Sequence, residues 1–186
     1  WSSDVCSSDL PILHSIDLSL YPGEIHALVG ENGAGKSTLM KTMLGIISPD
    51  KGEVIFFGQK RQHQSLKQIM DSGISMIHQE LMLIPELSVE ENIFLGRENE
   101  LGFWPWERKK NARLKALDLL SDCEIPMDPS TLVKNLSIAE QQLVEILRAI
   151  SQQAKLILMD EPTSSLSEKE ITLFRRLINK LKNEGV

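Results

Sequence analysis

The chain has 186 residues, 41% of them hydrophobic, which is ordinary for one globular core. Its formal net charge of -6 argues against a sequence-independent nucleic-acid binder, because such binding depends on Lys and Arg neutralising phosphates. Two cysteines provide neither a disulfide framework nor a metal site, and no apolar run approaches the about 20 residues that cross a bilayer. We therefore expect one domain in a reducing compartment, with any membrane connection made through a partner.

The first stretch, residues 1–10, matches no element of a fold and resembles the frame translation of a common sequencing adapter. We interpret it as a non-native sequencing-adapter artefact, fused to a chain that is truncated at both ends. The alternative is a polar, disordered N-terminus. The fold prediction therefore concerns residues 11–186.

The next stretch predicts strands that flank a loop and a helix. Residues 16–20 alternate apolar and polar side chains, which predicts a half-buried strand. The apolar run 25–29 predicts a buried parallel strand, and residues 36–44 predict a helix that ends at Gly45. A further short strand is predicted over 53–57.

Between the predicted strand 25–29 and the helix lies Gly-Glu-Asn-Gly-Ala-Gly-Lys-Ser-Thr, which fills every fixed position of a phosphate-binding loop. Small residues let backbone N–H groups approach a triphosphate, and the helix N-terminus favours the same anion. Lys36 would reach the β and γ phosphates, and the Ser37 hydroxyl would bind Mg²⁺. The alternative, a flexible glycine turn, is disfavoured by the strand and helix around the loop. The predicted ATP-binding residues are Gly30, Glu31, Asn32, Gly33, Ala34, Gly35, Lys36, Ser37 and Thr38.

Residues 64–78 continue the alternation of helix and strand. A helix is predicted over 64–72, followed by a strand over 74–78 that delivers Gln79 at its carboxyl end. Such alternation predicts a largely parallel sheet, whose ligands collect at the carboxyl ends of its strands.

Residues 80–135 have a helical character and predict a lobe inserted into the sheet domain. Ser88 and Glu91 form a capping box that begins a short helix. A longer helix is predicted over 107–123, and its apolar side carries Leu114, Leu117 and Leu120. Ahead of it, Phe103, Trp104 and Trp106 predict local packing of a loop, with contact to a partner as the alternative.

The last third of the chain contains another helix N-cap and an acidic pair that could take part in catalysis. Ser137 and Glu140 form a capping box for an amphipathic helix that runs to residue 150. The apolar strand 156–159 ends at Asp160 and Glu161, which could hold the Mg²⁺ shell and polarise an attacking water, respectively. The alternative for this acidic pair is a solvent-facing turn. A final helix, capped by Ser167 and Glu170, is predicted to reach about Lys182.

In order and spacing, these motifs resemble the Walker A, Q-loop, signature, Walker B and D-loop segments of ATP-binding cassette (ABC) ATPases. They are residues 30–38, Gln79, 136–142, 156–163 and 164–167. Residues 72–81, 91–97 and 160–170 resemble more closely the first nucleotide-binding domain of bacterial monosaccharide importers of the ribose, galactose and xylose type.

The resemblance implies an α/β fold of the P-loop NTPase (RecA-like) class, incomplete here: a mostly parallel sheet with an inserted helical lobe and a small antiparallel β part. The implied division is a core and β part over 11–79, the helical lobe over 80–135, and the signature helix with the Walker B core over 136–186. The strand that carries the family's switch histidine is expected after Val186, between the Walker A and Walker B strands. We therefore predict that the chain as written folds poorly and has negligible ATPase activity.

The resemblance also implies roles for single residues. Gln79 would bind Mg²⁺ and relay motion to membrane subunits, and Ser137 would bind the γ phosphate across a dimer interface. Two departures weaken the second role: Ile138 and Glu140 stand where the family has glycine and glutamine, so we predict a weaker site there. Ser167 occupies the position of the D-loop aspartate, which puts the usual interface contact of that residue in doubt.

The implied activity is ATP hydrolysis that drives monosaccharide import, with ATP and Mg²⁺ as cofactors. Expected partners are permease membrane subunits, a second nucleotide-binding domain that is fused or dimeric and, indirectly, a periplasmic sugar-binding protein, but no nucleic acid. The expected location is peripheral, on the cytoplasmic face of the inner membrane. One alternative is a soluble ABC-type clamp acting on the ribosome or DNA, which would require a basic surface. Another is a phosphate-loop kinase, which would require a site for the acceptor of the phosphoryl group.

Overall fold

The computed structural model describes residues 2–7, 10–61, 68, 72–78, 81–160 and 168–186. Most of the predicted helix 64–72 lies outside these residues, as do Gln79, Glu161 and Ser167. The described strands are β1 Ser2–Ser7, β2 Leu10–Asp17, β3 Lys51–Phe56, β4 Gln59–Arg61, β5 Ile74–Ile77 and β6 Leu156–Met159. The described α-helices are α1 Lys36–Met43, α2 Val89–Ile93, α3 Pro105–Asp122, α4 Ile138–Ser151 and α5 Glu168–Asn183. Short 3-10 helices cover Glu98–Leu101 and Val133–Asn135.

One sheet is antiparallel, with the strand order β2-β1-β3-β4. In it Ser2 of β1 lies opposite Asp17 on one side and Glu53 on the other, so β1 has backbone partners along both edges. The expected antiparallel part is confirmed, although β2 begins and ends earlier than the predicted strand 16–20. The statement that residues 1–10 match no element was wrong, because neighbouring strands supply β1 with partners that local sequence cannot show. The non-native origin of residues 1–10 stays a prediction.

The second sheet pairs β5 and β6 in parallel, with Ile74 opposite Leu156. Both strands are almost wholly apolar, which is typical of strands covered on their faces. Met40 of α1 and Leu44, the C-cap of that helix, pack with Ile74 and Leu158 in one buried cluster. The predicted alternation of strand and helix is confirmed here, and α1 rests on the sheet that ends at the candidate acidic pair.

Residues 25–29 do not form the predicted buried parallel strand. Ile25 is 57% exposed and Val29 is 89% exposed, and no described strand pairs with this segment. An apolar run becomes a strand only where neighbours satisfy its N–H and C=O groups, and in the described residues β6 pairs only with β5. This prediction was therefore wrong, while the loop and the helix that follow the segment are present.

Helices α2, α3 and α4 pack around one apolar core, and we call these three helices the helical lobe, although α4 lies beyond the predicted lobe range of 80–135. The predicted division at residue 135 stays a prediction. Val89 and Ile93 of α2, Ala116 of α3, and Val144 and Ile146 of α4 lie at its centre and are fully buried. Helix α5 adds side chains to the same cluster. The inserted helical lobe that the fold prediction contained is therefore present, and it shares its core with the last helix.

Helix α3 buries a different side from the one predicted. Ala112, Ala116 and Leu120, spaced four residues apart, face the core, whereas Leu114 is 50% exposed and Leu117 is 43% exposed. Small alanines let α3 approach its neighbours closely, which the count of leucines could not reveal. The predicted apolar side was therefore wrong for Leu114 and Leu117 and right for Leu120.

Candidate active site

The phosphate-loop segment is closed by bonds within its own backbone and by Lys36. The Lys36 ammonium donates hydrogen bonds to the carbonyl oxygens of Gly30, at 2.7 Å, and Glu31, at 2.9 Å. The Ala34 N–H donates to the same Glu31 oxygen at 3.1 Å. The loop thus curves on itself and holds a full positive charge against its backbone, an arrangement suited to an anion.

Two glycines of this loop have dihedral angles that other residues rarely adopt. Gly33 has φ 84° and Gly35 has φ 88°. A Cβ on Gly35 would also lie 2.7 Å from Cδ2 of Leu13, a buried side chain of β2. Gly35 is therefore required by both its dihedral angle and its close packing. A Cβ on Gly33 would meet nothing within 4 Å, so that position opens onto free space.

Helix α1 presents an uncompensated N-terminus to the loop. It begins directly after the left-handed Gly35, and no acidic residue lies in its first turn. The first N–H groups of a helix lack partners within it and carry partial positive charge. Leu39 packs against Leu13 of β2, which fixes this end of the helix, while Ser37 is exposed in its first turn. The residues present therefore fit a phosphate group.

Asp160 follows β6 and is tied to the neighbouring strand. Its N–H donates to the carbonyl oxygen of Ile77, the last residue of β5, at 3.0 Å. Because Leu158 of β6 packs in the same cluster as Met40 of α1, the structure joins the Asp160 strand to the loop helix. Gln79 and Glu161 were predicted for this same sheet edge and lie outside the described residues. Their roles stay predictions.

Ser137 is the N-cap of α4, as its capping box predicted. The Glu140 N–H donates to the Ser137 hydroxyl oxygen at 3.2 Å, and the Ser137 N–H donates to a Glu140 carboxylate oxygen at 2.8 Å. The carboxylate therefore already covers a donor at this helix end. Ile138, beside it, is exposed. Capping is confirmed, and binding of a γ phosphate by Ser137 stays a prediction.

Comparison with known proteins identifies the fold family. The profile of the family described as "ABC transporter" matches residues 13–164. The chain belongs to the ABC transporter family. One relative, from Geobacillus kaustophilus, is 49% identical over 94% of this chain and is named a putative ribose/galactose/methyl galactoside import ATP-binding protein. Another, the galactose/methyl galactoside import ATP-binding protein MglA of Clostridium tetani, is 46% identical over 94% of the chain. This ABC-family chain covers 35% of the length of each.

Solved structures agree with the α/β architecture of an ABC cassette. A nucleotide-free ATP-binding cassette from an ABC transporter superposes with a TM-score of 0.82 at 24% identity, covering 100% of this chain and 76% of that one. A dimeric cassette in a post-hydrolysis state, bound to ADP and Pi, superposes with a TM-score of 0.77 at 26% identity, covering 99% and 82%. The predicted P-loop NTPase fold of the ABC type is thereby confirmed.

The residues of the cassette that the structure describes bear on how it could hold a metal ion. No three His, Cys, Asp or Glu side chains come together as a metal site within the described residues. Mg²⁺ commonly keeps several waters and uses substrate phosphates besides one or two protein oxygens. The Ser37 hydroxyl and the half-buried Asp160 fit that donor set. Over the same described ranges, no helix of the cassette combines the length and apolarity needed to span a membrane.

Among the buried polar residues of the helical lobe, sequence reasoning missed two that bond to the preceding segment of the chain. Asn92 of α2 is 0% exposed and Glu145 of α4 is 7% exposed. Both are hydrogen-bonded to the segment that leads from β5 into α2. A signal for Glu145 was available: a lone carboxylate within the apolar run Leu143–Leu147 of an amphipathic helix is rarely buried without a partner.

Proposed function

We propose that the full-length protein binds and hydrolyses ATP to drive import of a monosaccharide through separate membrane subunits. The observation that carries this proposal is the loop closed by Lys36 at the uncompensated N-terminus of α1. The relatives are named as sugar import ATP-binding proteins, which supports the transport role.

Phosphoryl transfer spreads negative charge over the phosphate oxygens in the transition state. Catalysis therefore depends mainly on positioning the reactants and on stabilising that charge electrostatically. Loop N–H groups and Lys36 would bind the β and γ phosphates. Bound Mg²⁺ would neutralise part of the same charge, with Ser37, Asp160 and Gln79 as its candidate ligands. Glu161 would orient the attacking water and accept its proton.

Transport requires partners. A second nucleotide-binding domain, fused or dimeric, would place its signature segment against the loop of this one, while Ser137 would face the other domain's loop. Permease subunits would form the sugar path, a periplasmic sugar-binding protein would deliver the sugar, and this domain would lie peripherally on the cytoplasmic face of the inner membrane. The names of the relatives favour this arrangement over a soluble clamp on the ribosome or DNA.

Two substitutions in the full-length protein test the proposal. Lys36→Ala should weaken ATP binding about tenfold to a hundredfold, since a hydrogen bond to a charged group contributes about 1.5–3 kcal/mol. Glu161→Gln should bind ATP normally and lose most of its turnover. Binding and phosphate release would be measured with and without permease subunits in vesicles. Unchanged ATP binding by Lys36→Ala together with unchanged hydrolysis by Glu161→Gln would refute the ATPase, and ATPase activity that permease subunits leave unchanged would refute the transport role.

A further inference from the structure

The segment 81–87, which we call the connecting segment, leads from the β5 side of the sheet into α2 and is bonded to two helices of the lobe. The Met82 N–H donates to Oε1 of Glu145 in α4 at 2.6 Å. The Ile84 N–H donates to Oδ1 of Asn92 in α2 at 2.8 Å, and Asn92 Nδ2 donates back to the Ile84 carbonyl oxygen at 3.0 Å. The backbone is therefore held by side chains from both helices.

Asn92 forms the more extensive attachment. Besides the two bonds that the Asn92 side chain forms with Ile84, its Nδ2 donates to the carbonyl oxygens of Leu87, at 3.3 Å, and Ser88, at 3.0 Å. The Asn92 side chain is 0% exposed, so water cannot replace the backbone groups to which it is bonded. A buried amide with its donors and acceptor engaged fixes the path of the backbone around it.

Glu145 forms the second attachment, and its carboxyl costs more free energy to bury than the amide of Asn92 does. Its flanking residues Val144 and Ile146 are fully buried, and burial raises the pKa of the Glu145 carboxyl, an effect opposed by the hydrogen bond from Met82. Arg148, one turn along α4, adds a favourable charge interaction with this carboxyl. Oε2 has no hydrogen-bond partner within the described residues, so the described hydrogen bond of this carboxyl is the one to Met82. A carboxyl costs more free energy to bury than an apolar side chain does, which points to a role for that bond.

The two attachments lie between the candidate active site and the signature helix. Asp160 is bonded through its N–H to Ile77 at the end of β5, and the chain reaches Met82 five residues later. Met82 is bonded to Glu145 in the helix that Ser137 caps. At the far end of α4, Arg97 donates to the carbonyl oxygen of Ser151 at 2.8 Å, which ties the chain after α2 to α4. The helices of the lobe are therefore packed together as one unit. The connecting segment joins this unit to the sheet and is attached to it by hydrogen bonds.

We propose that Glu145 and Asn92 are positioning residues that make the connecting segment and α4 move as one unit. Through them, a change at the carboxyl end of β5 on nucleotide binding is transmitted to the N-terminus of α4 at Ser137. This inference rests on the proposed ATP site. Its physical content is that the two polar attachments, rather than the apolar packing of the lobe, carry the coupling.

The test uses the full-length protein and hydrogen exchange with and without Mg-ATPγS. In the wild type, nucleotide should change exchange at residues 137–141. Glu145→Leu keeps an apolar side chain of similar size but removes the acceptor of the Met82 N–H and the charge beside Arg148, so the melting temperature should fall. The Met82 amide should exchange about tenfold faster, and the change at 137–141 should disappear. Glu145→Gln keeps an acceptor for Met82 and should restore both readouts. Asn92→Leu should release the Ile84 amide and weaken the same response.

Leu143→Ala is the matched control, because Leu143 is buried on the same helix and its loss removes packing instead of a polar attachment. It should lower the melting temperature and leave the response at 137–141 intact. If Glu145→Leu keeps the full response, or if the wild type binds ATPγS without any change at 137–141, the positioning role is refuted. Failure of the wild type to bind ATPγS would instead refute the proposed function, which separates the two.

Discussion

The carboxylate of Glu140 should oppose anion binding at the N-terminus of α4, and Glu140→Gln should relieve this. The Ser137 N–H donates to the Glu140 carboxylate at 2.8 Å, so a phosphate approaching the same helix end must lie close to that charge. Unit charges about 5 Å apart repel by about 3 kcal/mol at an effective dielectric constant of about 20. Glutamine retains the oxygen that completes the capping box, so the helix end keeps its geometry.

The assay requires nucleotide binding at the site that Ser137 completes to be measured alone. In the full-length protein with Lys36→Ala, the remaining ATPγS affinity reports that site. Adding Glu140→Gln should tighten it about tenfold to a hundredfold, after allowance for salt screening. The melting temperature should change little, because a charge at an exposed helix N-terminus contributes only about 0.3–1 kcal/mol.

The chain provides a matched control for this charge removal. Glu91 forms the same capping box with Ser88 at the start of α2, where the Ser88 N–H donates to its carboxylate at 2.8 Å. Glu91→Gln makes an equal change in charge and cap chemistry at a helix end for which no nucleotide role is proposed. It should leave ATPγS affinity unchanged. Equal affinities with and without Glu140→Gln, or an equal gain from Glu91→Gln, would refute the reasoning.

Three further predictions follow from the helical lobe. Leu120→Ala should destabilise the lobe by about 2–5 kcal/mol, and the exposed Leu114→Ala by less than about 1 kcal/mol, as chemical denaturation would show; equal costs would contradict the orientation of α3. Hydrogen bonds from Ser88 lower the pKa of Glu91, so its stabilising effect is complete above the ordinary carboxyl pKa and is lost as pH falls through the lowered value. Glu91→Gln should therefore flatten the acid limb of a stability-versus-pH curve, and an unchanged limb would count against this. Trp106→Ala should leave the melting temperature nearly unchanged, since this side chain is 66% exposed and stacks on Trp104, and a loss of permease assembly in pull-down would favour the alternative of partner contact over local packing.

Features that depend on neighbouring residues in the chain were predictable from the sequence. The capping boxes at Ser88 and Ser137 formed as expected, because the serine and the glutamate three residues later satisfy each other's backbone N–H groups. The helix after the phosphate loop ends before Gly45, which has φ 77°. The start of α3 was placed two residues late, although Pro105 at its first position was a usable signal.

Features that depend on distant partners were not predictable in the same way. Residues 25–29 have the composition of a buried strand, but strand formation needs a paired neighbour, and none is present in the described residues. On α3, leucines at 114 and 117 predicted the buried side, whereas contacts with α2 and α4 selected Ala112 and Ala116. Hydrophobicity identifies residues that can be buried, and packing between elements decides which of them are.

One half of the candidate site, the phosphate loop, depends on residues that are neighbours in the chain, and the other half, around Asp160, depends on distant ones. The loop could therefore be inferred more firmly from the sequence. The loop around Lys36 is held by bonds among residues 30–36 and by packing of Gly35 on Leu13. It therefore keeps its shape although residues 25–29 pair with no strand in the part of the chain that the structure describes. The position of Asp160 relative to that loop depends instead on packing of β6 against α1. A phosphate-binding loop can therefore be recognised from a short motif, whereas the position of the residues that would hold Mg²⁺ and the attacking water depends on the assembled sheet.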